Sequence, residues 1–137
     1  MADAAYRLPS GGRIDRNRPL RFTFNGRAYS GCEGDTLASA LLANGVCLVA
    51  RSFKFHRPRG IMGAGLEEPS AIVELLAESQ SGNHPITTVR LKDGLKARSV
   101  NCWPSPEIDL MAVNQLFWRM LPAGFYYKTF MWPGCVL

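Results

Sequence analysis

The stretch Arg51–Pro69, RSFKFHRPRGIMGAGLEEP, carries neither a helical nor a strand period and lies between two apolar segments. A loop of that length inside a compact domain is uncommon, and it is usually functional or disordered. Phe53 and Phe55 alternate with Lys54, His56 and Arg57, whereas disordered segments are poor in aromatics. Gly60, Gly63 and Gly65 follow, then Glu67, Glu68 and Pro69. The glycines let the chain wrap tightly around something. Taken alone, this loop reads as a solvated basic segment, as a docking loop for an anion or a partner protein, or as a metal-cluster loop.

The flanks supply the scaffold. Leu20–Phe24 alternates apolar and polar residues, as a half-buried strand does, with Leu20, Phe22 and Phe24 on the core face. Asn25-Gly26 is a strong hairpin signal, and 27–30 is the returning strand. Residues 31–34 read as a turn. Asp35 or Thr36 then caps a helix over 36–44, with Leu37, Leu41 and Leu42 in one stripe and Ala38 and Ala40 permitting close packing. Gly45 occupies the position just past its end. Residues 46–50 form a buried strand or the descent into the loop. Residues 71–76 predict a second buried strand, and 77–85 a polar connector. Residues 87–91 and 95–100 flank Asp93-Gly94 and predict a second hairpin. Hairpin, helix, long loop, strand and hairpin in that order give an α+β fold, the β-grasp, with a mixed sheet and one crossing helix.

The chain has 137 residues, enough for one domain or a domain with a tail. Residues 1–19 read as a flexible N-terminal arm, 20–100 as the β-grasp domain and 101–137 as an irregular aromatic tail. That tail holds a short helix over 110–121 and a dense run of Phe125, Tyr126, Tyr127, Phe130 and Trp132. Such a run packs on its own sheet, forms an interface or borders a cofactor. No run approaches a membrane span, and no secretory signal is visible, which points to the cytoplasm. Cys32, Cys47, Cys102 and Cys135 contain no C-x-x-C pair, which argues against zinc and for reduced thiols. The net charge of +5 suits an acidic partner. A basic nucleic-acid-binding module is one alternative, but no RNA-binding signature accompanies the charge, so the expectation is no nucleic-acid partner and no membrane partner.

RSFKFHRPRG (51–60) resembles a signature of ferredoxin-like β-grasp domains found in amino-acid and opine oxidoreductases. GDTLASALLANGV (34–46), EEPSAIVEL (67–75) and AGFYYKTFMWP (123–133) are similar to the α subunits of heterotetrameric sarcosine oxidases in particular. Cluster-binding relatives of this fold carry a C-x4-C-x2-C loop and a later fourth cysteine, because each iron of a [2Fe–2S] cluster needs thiolate ligands. The corresponding positions here are Gly63, Glu68, Ala71 and Thr87. On that ground no [2Fe–2S] cluster and no metal ligand is expected.

The resemblance implies a flavin-dependent complex that oxidatively demethylates sarcosine. Its products are glycine, formaldehyde or methylene-tetrahydrofolate, and hydrogen peroxide. FAD, FMN and NAD belong to the assembled complex rather than to this chain. The implied partners are the rest of the α subunit and the β, γ and δ subunits. No G-x-G-x-x-G follows a strand here; the resemblance implies a dinucleotide-binding domain downstream of the tail, and the chain reads as a non-catalytic N-terminal part. Arg57 and Arg59 are expected to meet carboxylates or a flavin phosphate, and Lys128 to sit near a flavin. His56 lacks a nameable partner and is not expected to act as a base. A [2Fe–2S] electron-transfer subunit of an amino-acid or opine dehydrogenase is the other alternative.

Overall fold

The computed structural model describes residues 4–76 and 82–117. β1 (Asp15–Phe24) is the strand around which the sheet is built. It turns at Asn25-Gly26, whose φ angles of 51° and 77° are both positive, as the tightest hairpin turn requires. The chain returns as antiparallel β2 (Arg27–Glu33). On its other edge β1 pairs in parallel with β7 (Leu95–Ser99). β5 (Ile72–Leu75) and β6 (Asn83–Pro85) complete the order β2-β1-β7-β5-β6. A separate two-stranded ladder joins β3 (Ala50–Arg51) to β4 (Pro58–Arg59). With α1 (Leu37–Ala43) packed against the sheet, this is the expected α+β, ferredoxin-like arrangement.

The period-two and helical patterns meet in one core. Phe22 and Phe24 on β1 join Leu37 and Leu41 on α1, with Val73, Ile86 and Ala97 closing around them. Each large apolar side chain buried this way contributes about 1.5–3 kcal/mol. The helix is delimited by local chemistry. Thr36 and Ser39 form a capping box at its start, each satisfying an otherwise orphaned backbone donor. Two first-turn N–H groups reach the loop after β6, Leu37 to the Val89 carbonyl (2.8 Å) and Ala38 to that of Ile86 (3.2 Å). Gly45 ends the helix at φ 76°, and a Cβ there would lie 2.7 Å from the Tyr6 ring.

Four local readings differ. Leu42 is exposed, while Ala38, Ala40 and Ala43 share the buried face with Leu37 and Leu41. β2 runs on to Glu33, through most of the expected turn. Of the two readings of 46–50, the descent into the loop is the one observed, with Ala50 alone in a strand. Residues 87–91 form no hairpin arm. Arg90 makes only an isolated bridge to Thr36, and Asp93-Gly94 is used differently. The Asp93 carboxylate accepts the Arg21 N–H (2.9 Å) and the Gly94 N–H donates to the Arg21 carbonyl (2.8 Å). The dipeptide therefore starts a parallel strand beside β1 instead of closing a hairpin. The helix foreseen over 110–121 is a 3-10 helix, Leu110–Phe117, and the aromatic run lies outside the described residues.

Two sets of long-range ties fasten the 6–7 and 103–111 segments to this frame. Tyr6 donates to the Ala43 carbonyl (3.1 Å), and Arg7 pairs with Asp35 at 2.6 Å. The Asp35 carboxylate also accepts from the Cys32 N–H (2.8 Å) and the Ser39 hydroxyl (2.7 Å). The stretch read as a flexible arm thus contains anchored residues and the first part of β1. At the other end, His56 Nδ1 meets the Asp109 carboxylate at 2.8 Å, with both side chains buried. The other Asp109 oxygen accepts the Trp103 and Met111 N–H groups (3.0 and 3.1 Å). Arg51 donates to the carbonyls of Pro106 and His56, each at 2.8 Å.

Burial pushes the Asp35 carboxyl up, but Arg7, the Cys32 N–H and the Ser39 hydroxyl outweigh it and hold the group below its ordinary value. Its stabilisation is complete above the unfolded pKa of about 3.9 and fades as pH falls through the lower folded value. Asp35→Asn should cost about 2 kcal/mol at pH 7, and the gap to the parent chain in thermal melts should narrow below pH ~4. A gap independent of pH would contradict the assignment. Asp109→Ala strands two backbone donors and His56, so its urea midpoint should fall by the equivalent of about 2–3 kcal/mol. Ile108→Ala, at an exposed neighbour, should stay within about 0.5 kcal/mol of the parent.

Candidate functional site

The glycine loop closes around a carboxylate. One oxygen of Glu68 accepts the N–H groups of Met62 (2.8 Å) and Gly63 (2.5 Å), and the other those of Ser70 (2.8 Å) and Ala71 (2.9 Å). Four backbone donors from two sides of the loop therefore converge on one side chain, which is 5% exposed. Successive backbone N–H groups curved in this way form an anion-binding nest, a device shared by many phosphate and iron–sulfur sites. Burial opposes the charge, yet the N–H groups of Gly63, Ala71, Ser70 and Met62 prevail and hold the Glu68 carboxyl at about 2. Gly63 has a steric reason: a Cβ there would sit 3.3 Å from the Glu68 backbone. Glu67 serves the loop tip in the same manner, accepting from Ala64 (3.1 Å) and Gly65 (2.9 Å).

The four positions expected from loop spacing to correspond to cluster cysteines come together here. Gly63 and Ala71 donate to Glu68, and the Thr87 hydroxyl donates to the Gly65 carbonyl of the same loop (2.6 Å). Sequence reasoning placed these residues but missed that Glu68 is the acceptor they surround. The available signal was the acid pair Glu67-Glu68 closing a loop with glycines at 60, 63 and 65.

The basic segment divides into inward and outward groups. Arg51 and His56 are bonded to the 103–111 segment as described. Asp109 is the partner of His56 that the sequence did not reveal, because it lies 53 residues away. Buried on that carboxylate, His56 fastens two segments. Arg57 and Arg59 are exposed. The Arg57 guanidinium lies 5.2 Å from the Phe55 ring centre and the Lys54 ammonium 5.1 Å from it, within cation–π range. Arg59 donates to the Ser70 hydroxyl (3.3 Å) beside the nest. Lys128 lies outside the described residues. Burial, with Asp109 and Glu107 nearby, pushes the Cys102 thiol up, which disfavours the reactive thiolate.

Residues 17–102 match the family described as 2Fe-2S iron-sulfur cluster binding domain. The sarcosine oxidase subunit alpha of Rhizobium meliloti (strain 1021) is 57% identical over 132 residues, covering 96% of this chain and 13% of the relative. That of Corynebacterium sp. (strain U-96) is 44% identical over 92 residues, covering 64% of this chain and 10% of the relative. The chain thus spans only about an eighth or less of the length of these relatives, and the expected likeness to sarcosine oxidase α subunits holds. L-proline dehydrogenase from P. horikoshii shares the fold, with a TM-score of 0.50 and 21% identity over 66% of this chain and 17% of that one.

The family match corrects the expectation that no [2Fe–2S] cluster belongs to this chain, since the matched domain is a cluster-binding one. The loop itself does not fit the group. Residues 60–71 and Thr87 hold no thiol, and the Glu68 carboxylate takes up the loop amides. Among the described residues no three His, Cys, Asp or Glu side chains gather as a metal set. No chemical step is therefore derived through a cluster. By the match over 17–102, and with its ferredoxin-like sheet, the chain belongs to the 2Fe-2S iron–sulfur cluster binding domain family.

Proposed function

We propose that this chain is a non-catalytic, ferredoxin-like part of a sarcosine oxidase α subunit. It would work within a multi-subunit, flavin-dependent complex, with the rest of the α subunit and the β, γ and δ subunits as partners. The flavin of that complex would take hydride from the methyl group of sarcosine. The resulting imine would give glycine with formaldehyde by reaction with water, or with methylene-tetrahydrofolate by reaction with tetrahydrofolate. Molecular oxygen would reoxidise the reduced flavin to yield hydrogen peroxide. The observation that carries the reading is the likeness to the Rhizobium meliloti relative over nearly the whole chain.

The internal geometry supports a scaffolding role. Glu68, His56, Asp109 and Asp35 are each committed to bonds that hold the domain together. The groups the domain exposes include apolar and cationic side chains. Trp103, Ile108, Leu110, Leu116 and Phe117 are all more than half exposed, and grouped exposed apolar residues commonly mark an interface. Arg57 and Arg59 remain the groups proposed to meet carboxylates or a flavin phosphate of the assembled complex, since planar guanidinium suits both. The role of Lys128 near the flavin stays part of the same proposal, as do FAD, FMN and NAD as cofactors of the whole. Among the described residues no helix is long and apolar enough to cross a membrane. Cys32, Cys47 and Cys102 are free thiols, in keeping with the proposed cytoplasmic location.

A second reading, an electron-transfer subunit carrying a [2Fe–2S] cluster, draws on the family match. Bound iron with acid-labile sulfide in fresh preparations would favour it.

The scaffolding reading is tested by co-expressing the chain with the remaining subunits. Omitting it should abolish assembly and sarcosine-dependent peroxide formation; if neither needs the chain, the proposal falls. Leu116→Glu combined with Ile108→Glu should reduce co-purification at least about tenfold, the effect of losing one good hot spot. The melting temperature of the isolated variant should stay within about 2 °C of the parent, because both side chains are exposed.

A further inference from the structure

We infer that residues 62–71 form an anion receptor whose tethered ligand is the Glu68 carboxylate. Once that carboxylate is removed, the receptor accepts a free small carboxylate such as formate or acetate. The shape of the site selects this class. Two N–H groups aim at each oxygen, Met62 and Gly63 at one and Ser70 and Ala71 at the other. That arrangement suits a planar, two-oxygen anion better than a sphere, which could not serve both donor pairs at hydrogen-bonding distance.

The receptor's walls are held by bonds that do not involve the carboxylate. The Thr87 hydroxyl ties down the Gly65 carbonyl (2.6 Å), and the Glu68 N–H also reaches that carbonyl (3.3 Å). The Ile86 N–H donates to the Ala71 carbonyl at 3.0 Å, fixing one donor pair to the core. Ser70 is fastened through its hydroxyl, which donates to the Met62 sulfur (3.4 Å) and accepts from Arg59 (3.3 Å). Arg59 thereby places a cation beside the site. Truncating the side chain at position 68 leaves these ties in place and opens a space lined by four donors. Unsatisfied buried donors are costly, so an anion that fills the space restores what the truncation removed.

The test uses Glu68→Ala in the 137-residue chain, with sodium formate compared against sodium chloride at equal ionic strength. Formate should raise the melting temperature of the variant by several degrees beyond chloride and leave the parent unchanged. The rise should saturate within about 1–100 mM, the range open to a three-atom ligand. In amide NMR spectra of the variant, formate should shift Met62, Gly63, Ser70 and Ala71 together. Glu68→Gln keeps the bulk of the side chain but presents an NH2 to the donors; it should be destabilised and not rescued, because the space is filled. Should Glu68→Ala be unfolded in chloride, refolding in formate is the same test, and failure in both salts counts against the receptor. Equal rescue by chloride, equal rescue of Glu68→Gln, or formate shifts at other amides would overturn the inference.

Discussion

Backbone donors in an irregular segment need acceptors as much as those in a strand do, and around the glycine loop that demand falls on one side chain. Glu68 accepts four N–H groups from two stretches of the loop. Leaving a buried donor unpaired costs about 1–3 kcal/mol. Four of them would cost roughly as much as the 5–15 kcal/mol by which a whole domain is stable. The loop's donors are therefore satisfied only with an anion among them, and the loop in turn delivers the chain from β4 to β5 with Ala71 buried in the core. Glycine at 63 is part of the same constraint, because the loop backbone must come close to Glu68 for the bond to form.

The neighbouring basic segment follows a related logic with opposite charge. Arg51 places its guanidinium on two carbonyls, and the segment turns through His56 in the left-handed region (φ 50°) so that its ring reaches Asp109. A non-glycine residue held there is under modest strain, and the buried His56–Asp109 contact is the feature that sets it. The cations are thus sorted. Arg51 bonds internal carbonyls, whereas Arg57 and Arg59 stay exposed. The net charge of the chain gives no hint of this division; the geometry of individual side chains decides it.

Elements whose signals are local were legible before any coordinates. The Asn25-Gly26 turn, the Thr36 cap and the Gly45 terminus each depend on residues within one turn of chain, and each occurs where the sequence puts it. Asp93-Gly94 misled for a physical reason. The same small, turn-forming residues that close hairpins also dock a chain reversal against a distant strand, and the Arg21 backbone captures them here. Parallel pairing of β1 with β7 leaves no mark within either segment alone. The site was half legible. Its positions at 63, 68, 71 and 87 could be aligned, but the acceptor role of Glu68 and the pairing of His56 with Asp109 depend on tertiary contacts. The [2Fe–2S] expectation shows the limit of reasoning from ligands alone: missing cysteines bear on ligation, whereas membership in the cluster-binding family rests on the match over the fold as a whole.

The 3-10 helix at Leu110–Phe117 connects these points to the proposed assembly. Runs of 3-10 helix beyond three or four residues are uncommon because their hydrogen bonds are poorly aligned, yet this one has eight residues and none of them is buried. Its own backbone therefore contributes little to holding it. Its attachment comes from its entrance, where Asp109 accepts the Met111 N–H and the Leu110 N–H donates to the Trp103 carbonyl at 2.8 Å. Asp109 is also the residue that grips His56, so the exposed apolar surface and the basic segment share one anchor. Under the proposed role, a partner that covers Leu116 and Phe117 would act on an element whose position is fixed through His56. Docking at that face and the orientation of the 51–59 segment would then be coupled through the buried Asp109 carboxylate and the Arg51–Pro106 bond.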